Sequence, residues 1–263
     1  MIEKHGRYKI IIGVLLLIIV VQTFFILKIL TKKKVKPALP SRIRPKIAIV
    51  LDDWGYNEDS LTLLESINYP LNMAILPNLV YSHRTVQKAK ELNKEIILHL
   101  PLQSKQGNKL GWEKNTITVD MPEEKIREIL NEAIDSLGEI KGVSNHMGSL
   151  ATEDERTMRV IFLELKKRGI YFLDNRASPK TVCERLAKQL SLKFVKRDVF
   201  LDNEKEPLYI KNQLKKLAAI ALKYGQAIGV GHNHKVTLKV LKEFLPQLEK
   251  AGFEFVFLSQ LIK

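Results

Sequence analysis

Two aspartates, Asp52 and Asp53, stand side by side directly after the apolar run Ile47–Leu51, and His99, His146 and His232 each stand at the end of another apolar run. Neighbouring carboxylates resist joint ionisation, and a divalent cation relieves that repulsion. At a strand end, one of the pair can coordinate the cation while the other faces substrate. Imidazoles from separate strand ends, with one carboxylate, suit Zn²⁺ and related divalent ions such as Mn²⁺, Co²⁺ or Ni²⁺. Taken singly, an Asp pair also reads as a turn or a helix cap, and His99 as a satisfied core histidine. Recurrence at the same point of successive units favours a site.

The elements that must position these residues are short apolar runs alternating with amphipathic stretches. Strands are expected at Ile47–Leu51, Asn72–Leu76, Glu95–Leu100, Gly142–Asn145, Ile170–Leu173, Phe194–Val199, Ala227–Val230 and Phe253–Phe257. Between them lie helical patterns with start signals at Asp120-Met-Pro-Glu123, Thr152-Glu-Asp-Glu155 and Ser178-Pro179. Such βα units imply a parallel sheet, either closed as a barrel or open and doubly wound. No glycine-rich phosphate loop follows the first strand, so the expectation is an irregular (β/α) barrel of seven or eight parallel strands. The carboxyl ends of its strands share one face, where active sites are built. That face would also carry Asn145, Asp174, Arg176 and Asp198 as substrate-binding candidates. Trp54 reads as a wall for a sugar or as ordinary packing. His83 reads as a structural or surface residue, His234 as a partner of the site or the start of a helix, and Cys183 as core.

The net charge of +14 over 263 residues is unevenly placed. Residues 1–46 hold eleven basic side chains against Glu3 alone, whereas the other 217 carry 32 basic and 28 acidic groups. A nucleic-acid binder carries its excess charge on the folded domain, so nucleic acid is not the expected partner. The excess flanks Ile10–Leu27, an uncharged apolar stretch that Ile29 and Leu30 extend. It approaches the roughly 20 residues that span a bilayer and shows no convincing cleavage site. The expected organisation is a short basic tail at 1–9, a transmembrane anchor at 10–30, a Lys/Pro-rich tether at 31–45 and a barrel at 46–263. The lone Cys183 excludes an intrachain disulfide.

The sequence resembles the divergent polysaccharide deacetylase family of the carbohydrate esterase and deacetylase superfamily. The resemblance rests on Ile47-Ala-Ile-Val-Leu-Asp-Asp53, Met73-Ala-Ile-Leu-Pro77, Ile97-Leu-His-Leu-Pro101, Asn145-His-Met-Gly-Ser149, Tyr171-Phe-Leu-Asp-Asn-Arg176, Arg197-Asp-Val-Phe-Leu-Asp202 and Gly229-Val-Gly-His232, in the family's order. It implies a divalent metal and deacetylation of a polysaccharide or peptidoglycan-type glycan. It also implies Asp52 as catalytic base, Asp53 as metal ligand and His232 as catalytic acid. The superfamily supplies two further ligands as His-x-x-x-His, but here His99 is followed four residues later by Gln103. His146, standing where a substrate-binding Arg-Pro-Pro segment is expected, is the replacement candidate. An envelope glycan places the barrel outside the cytoplasmic membrane, although the lysine distribution favours the opposite orientation. The rival reading is a glycan-binding or scaffolding module without turnover, favoured by Gln103. A phosphoesterase is kept open by Arg176 and Arg197.

Overall fold

The computed structural model describes residues 22–23, 44–107 and 113–262. Two compact units divide the chain, Met1–Ile43 and Arg44–Lys263. In the first, only Gln22 and Thr23 are described, both helical. Apart from these two residues the expected anchor therefore lies outside the described residues, as does the tether before Arg44. Among the described residues, no helix is long and apolar enough to cross a membrane.

The second unit alternates strands and helices. The strands are β1 (Lys46–Trp54), β2 (Asn72–Ile75), β3 (Glu95–Leu102), β4 (Gly142–Met147), β5 (Tyr171–Asp174), β6 (Phe194–Lys196), β7 (Val199–Phe200), β8 (Gln226–His232) and β9 (Glu254–Phe255). The helices are α1 (Leu61–Glu65), α2 (Ser82–Glu91), α3 (Glu123–Leu137), α4 (Glu155–Arg168), α5 (Cys183–Leu190), α6 (Pro207–Tyr224) and α7 (Lys235–Lys250). Every strand pairing is parallel, in the order β6-β5-β4-β3-β2-β1-β8-β7, with β9 beside the start of β1. β6 and β7, at the two ends of that order, are separated by only Arg197 and Asp198. The Arg197 amide donates to Asp174 O at the end of β5, and the Asp198 amide to Ile228 O of β8. One segment thus changes partner in mid-course, and the curled sheet takes the form of an irregular (β/α) barrel. The expected strand Phe194–Val199 is this broken segment, and the expected Phe253–Phe257 shrinks to the short β9.

Continuous apolar strands suit a parallel sheet buried on both faces. Ala48, Val50, Ala74, Ile97, Tyr171, Leu173, Ile228 and Val230 form an inner cluster, which Val256, Leu258 and Leu261 join. Their strand neighbours Ile47, Ile49, Leu51, Met73, Ile75, Leu98, Val143 and Phe172 pack in the outer cluster with the helices. Side chains alternate along a strand, so the inner file continues upward in a fixed way. Asp52 follows Val50, His99 follows Ile97, Asn175 follows Leu173 and His232 follows Val230. The inner file is apolar in its lower layers and polar in its top layer.

Three helix starts differ from expectation. α4 is capped by Asp154, whose carboxylate accepts the Thr157 amide at 2.7 Å, and not by Thr152. No helix begins at Pro179; Ser178 accepts the Lys180 amide at 3.1 Å and α5 starts at Cys183. α3 begins after Pro122 without a side-chain cap, so Asp120 does not close the expected capping box.

Candidate functional site

The polar top layer opens into a cavity of about 320 Å³ lined by Asp52, Asp53, His99, Asn145, His146 and His232, with Arg197 and Phe200 at its side. Both aspartates reach it because β1 is irregular there. Its register against β2 shifts between Leu51 and Trp54, and Asp53 adopts φ 64°. A left-handed residue interrupts the alternation that would send consecutive side chains to opposite faces. Asn233, just past β8, holds this bend: its amide donates to Asp52 O at 3.2 Å and its Nδ2 to Asp53 O at 3.1 Å.

Asp53 is the hub. Its Oδ1 lies 3.3 Å from His99 Nε2 and 3.2 Å from His146 Nδ1. One donor atom from each of these three residues falls within 4.8 Å of the others. Donors on a tetrahedral ion with bonds of about 2.1 Å stand about 3.4 Å apart, so these separations fit a divalent cation. Asp53 Oδ1 is also buried without a hydrogen bond, as a ligating oxygen awaiting a cation would be. The chemistry of the set, one carboxylate and two imidazoles, agrees. Burial pushes the Asp53 carboxyl up, but His146 and His99 together pull it far below the usual carboxylate range. His99 is affected in the complementary sense. Burial lowers it, and the charges of Asp52 and Asp53 outweigh burial and raise it.

Neighbouring polar groups fix these side chains. His99 Nδ1 lies 2.9 Å from Ser144 Oγ on β4. With that nitrogen donating, Nε2 keeps its lone pair for the cation. Asp52 is buried, and its Oδ2 accepts from Asn175 Nδ2 at 2.8 Å, while its Oδ1 is buried without a hydrogen bond. Burial raises the Asp52 carboxyl above its usual range. On the other side of the cavity, Asp202 accepts from His232 Nδ1 at 3.0 Å, from the His232 amide at 2.7 Å and from Thr237 Oγ1 at 2.7 Å. Burial lowers His232, but the bond and charge of Asp202 overcome it and hold the imidazole at about 9. His232 Nε2 is left facing Asp53 Oδ2 at 3.7 Å.

The sequence from 49 to 262 matches the family model for divergent polysaccharide deacetylases. The chain belongs to the divergent polysaccharide deacetylase family. It is 30% identical over 203 residues to the Escherichia coli K12 protein YibQ, covering 77% of this chain and 63% of that one. Among solved structures, ATU2773 from Agrobacterium tumefaciens C58 has the same fold, with TM-score 0.77 and 23% identity over 85% of this chain and 91% of that one. BA3943 of Bacillus anthracis, described as a CE4 family pseudoenzyme, is similar at TM-score 0.51 and 13% identity, over 83% of this chain and 65% of that one.

Within this deacetylase fold, Asp52, Asp53, His99, His146 and His232 come together. Four substrate-binding candidates do not behave as expected. Trp54 is fully buried in the outer core, because the bulge at Asp53 turns it away from the cavity. Asp174 is buried and spent on the turn after β5, accepting the Arg176 amide at 2.7 Å and Thr181 Oγ1 at 2.9 Å. Arg176, with φ 53°, is exposed on that turn and outside the cavity lining. Asp198 caps the Ile228 amide at 2.8 Å where the segment changes strands, and it lines a different hollow with Gln226 and Leu261. Asn145 does line the cavity, but its Oδ1 accepts the Asn175 amide and its Nδ2 donates to Met147 O, both at 2.8 Å. It shapes the site.

Gln103 takes no part in the donor set. Its Oε1 accepts the Val119 amide at 2.8 Å. His83 is exposed on α2, His234 caps the start of α7 and stacks on His232 with ring centroids 5.2 Å apart, and Cys183 is buried. The sequence reading left Ser144 and Asn175 without any role. Asp202 entered it only through the family resemblance. Arg197, whose guanidinium carbon lies 4.3 Å from the centre of the Phe200 ring, belongs to the same stretch of the resemblance and was otherwise a hint of phosphate chemistry. Asn175 and Asp202 carried a usable signal, since each follows an inward-facing or strand-end residue by a step or two. Ser144 carried one only through its register opposite His99.

Proposed function

We propose that this protein is a metal-dependent hydrolase that deacetylates an acetylated cell-envelope glycan. The observation that carries the reading is the Asp53–His99–His146 donor cluster, flanked in one cavity by Asp52 and by His232 with its partner Asp202. These three residues would hold the cation, with Zn²⁺ the first choice and Mn²⁺, Co²⁺ or Ni²⁺ as alternatives. Such an ion supplies Lewis acidity to the attacking water and to the acetyl carbonyl. Asp52 takes the proton of the water. Asn175 holds its Oδ2, so the unbonded Oδ1 is the accepting atom. His232, kept protonated by Asp202 at Nδ1, gives the Nε2 proton to the departing amine. Arg197, over the face of Phe200, offers donors to polar or anionic groups of the glycan.

On the glycan reading the barrel lies outside the cytoplasmic membrane, anchored by residues 10–30 through the tether at 31–45. Carboxyl-terminal reporter fusions active only in the cytoplasm would refute that placement. The decisive experiment for the activity is metal content of the purified chain followed by acetate release from N-acetylated oligosaccharides. A second reading, a glycan-binding module without turnover, is favoured by Gln103 standing where the superfamily has its second histidine, and by the fold shared with a pseudoenzyme. Metal-loaded protein that binds oligosaccharide and releases no acetate would select it.

A further inference from the structure

The ring of His146 makes two approaches. Its Nδ1 lies 3.2 Å from Asp53 Oδ1, and its Nε2, buried and without a hydrogen bond, faces Glu113 Oε1 at 3.7 Å. Glu113 is not free to wander. Its carbonyl accepts both the Thr116 amide at 3.1 Å and Thr116 Oγ1 at 2.8 Å, which closes a turn with Asn115 at φ 67°. Its carboxylate accepts the hydroxyl of Tyr56, two residues past the β1 bulge. The segment after this turn is laid along the end of β3: Ile117 bridges Leu102 in parallel, the Gln103 amide donates to Ile117 O at 2.9 Å, and Gln103 Oε1 accepts the Val119 amide. Gln103 is thus an anchor for the loop that carries Glu113, and Glu113 stands over the nitrogen of His146 that faces away from the donor cluster.

We propose that Glu113, held by Tyr56, is the positioning residue for His146, accepting a hydrogen bond from its Nε2–H so that the lone pair of Nδ1 is presented to the cation. This rests on the reading of Asp53, His99 and His146 as a metal centre. The physical ground is general: a carboxylate on the far nitrogen of a ligating imidazole fixes its tautomer and orientation and raises its basicity, and removing it costs about 10–100-fold in metal affinity. Ser144 does the same for His99 with a weaker, neutral partner. Gln103, which takes no part in the donor set, pins the segment that follows Glu113.

The test is Co²⁺ and Zn²⁺ titration of the purified full chain, read by calorimetry and by the visible absorption of the Co²⁺ form. Glu113→Gln is expected to weaken binding about 10–100-fold and to alter the Co²⁺ spectrum, with the far-ultraviolet circular dichroism of the metal-free protein unchanged. Tyr56→Phe shifts affinity in the same direction by less. In a His146→Gln background, adding Glu113→Gln has no further effect, because Glu113 acts through that imidazole. Equal losses in both backgrounds overturn the proposal, since they make Glu113 a ligand in its own right or a determinant of the fold. Wild-type affinity in Glu113→Gln overturns it while leaving the metal centre intact. Absence of Co²⁺ binding by the wild-type chain overturns the metal centre and the proposal together.

Discussion

Replacing Asp52 by Asn should move activity and stability in opposite directions. The residue is 4% exposed, and Asn reproduces its shape. The Asn oxygen takes over the bond that Asp52 Oδ2 accepts from Asn175 Nδ2 at 2.8 Å. What disappears is the unbonded Oδ1, the atom assigned to take the proton. Loss of a general base costs about 10²–10⁴-fold in kcat, or roughly 3–5.5 kcal/mol, with KM little changed. The cation should stay, because the donor cluster is formed by Asp53, His99 and His146. Meanwhile the metal-free protein loses a buried, incompletely bonded charge beside a second carboxylate. Relief of such a group is worth about 1–3 kcal/mol. For a domain of this size that raises Tm by roughly 2–12 °C. The assays are acetate release, metal stoichiometry and differential scanning calorimetry of the chelated protein. If Asp52→Asn loses its metal, the two aspartates must exchange roles. If it becomes less stable, the account of Asp52 as a strained, function-bearing charge is wrong.

Other outcomes follow from neighbouring groups. His232→Ala should lose far more activity on an amide substrate than on an activated aryl acetate, whose leaving group needs no proton; equal losses would remove His232 from the acid role. Asp202→Asn should shift the alkaline limb of the pH–rate profile downward. A catalytic acid works while protonated, activity falls as pH rises through its pKa, and His232 held at about 9 loses its largest upward influence; a nearby cation lowers the limb in both proteins, so the difference is what is read. Trp54→Phe should leave KM unchanged and lower Tm, because the indole is wholly buried; a raised KM would restore it to the sugar site. Gly142→Ala should destabilise by at least about 1–3 kcal/mol in denaturant titration, since the new Cβ would fall 2.1 Å from the Tyr171 ring.

Much of the fold was legible because a parallel sheet buried on both faces writes itself as unbroken apolar runs, and these runs located the staves of the barrel. What the runs concealed was closure. Phe194–Val199 reads as one strand, yet Phe194–Phe200 divides its hydrogen bonds between β5 and β8. Apolar pattern reports burial, and burial is the same on either partner. Helix starts failed for a related reason. Asp154 and Thr152 both offer a capping oxygen, but Thr152 lies within a short turn at Ala151–Glu153 and its hydroxyl donates to Gly148 O at 2.7 Å, so Asp154 makes the cap.

The candidate site divides along the same line. Residues in phase with the inner file, Asp52, His99 and His232, could be found by counting in twos from the apolar core, whereas the inner positions of β4, Gly142, Ser144 and His146, include no apolar residue to count from. Residues just past the strand ends could not, because phase is lost wherever the backbone turns left-handed. Asp53, Met147 and Arg176 all have positive φ, each at or just beyond the end of its strand. At Asp53 the turn brings a ligand in and sends Trp54 out. At Arg176 it sends a candidate out while Asn175, one step earlier and still in phase, reaches Asp52. Asp174, out of phase, is turned to the helix side and spent on its own loop. The barrel therefore supplies alternate residues in register, and three local departures from that register decide which of the remaining polar residues join them.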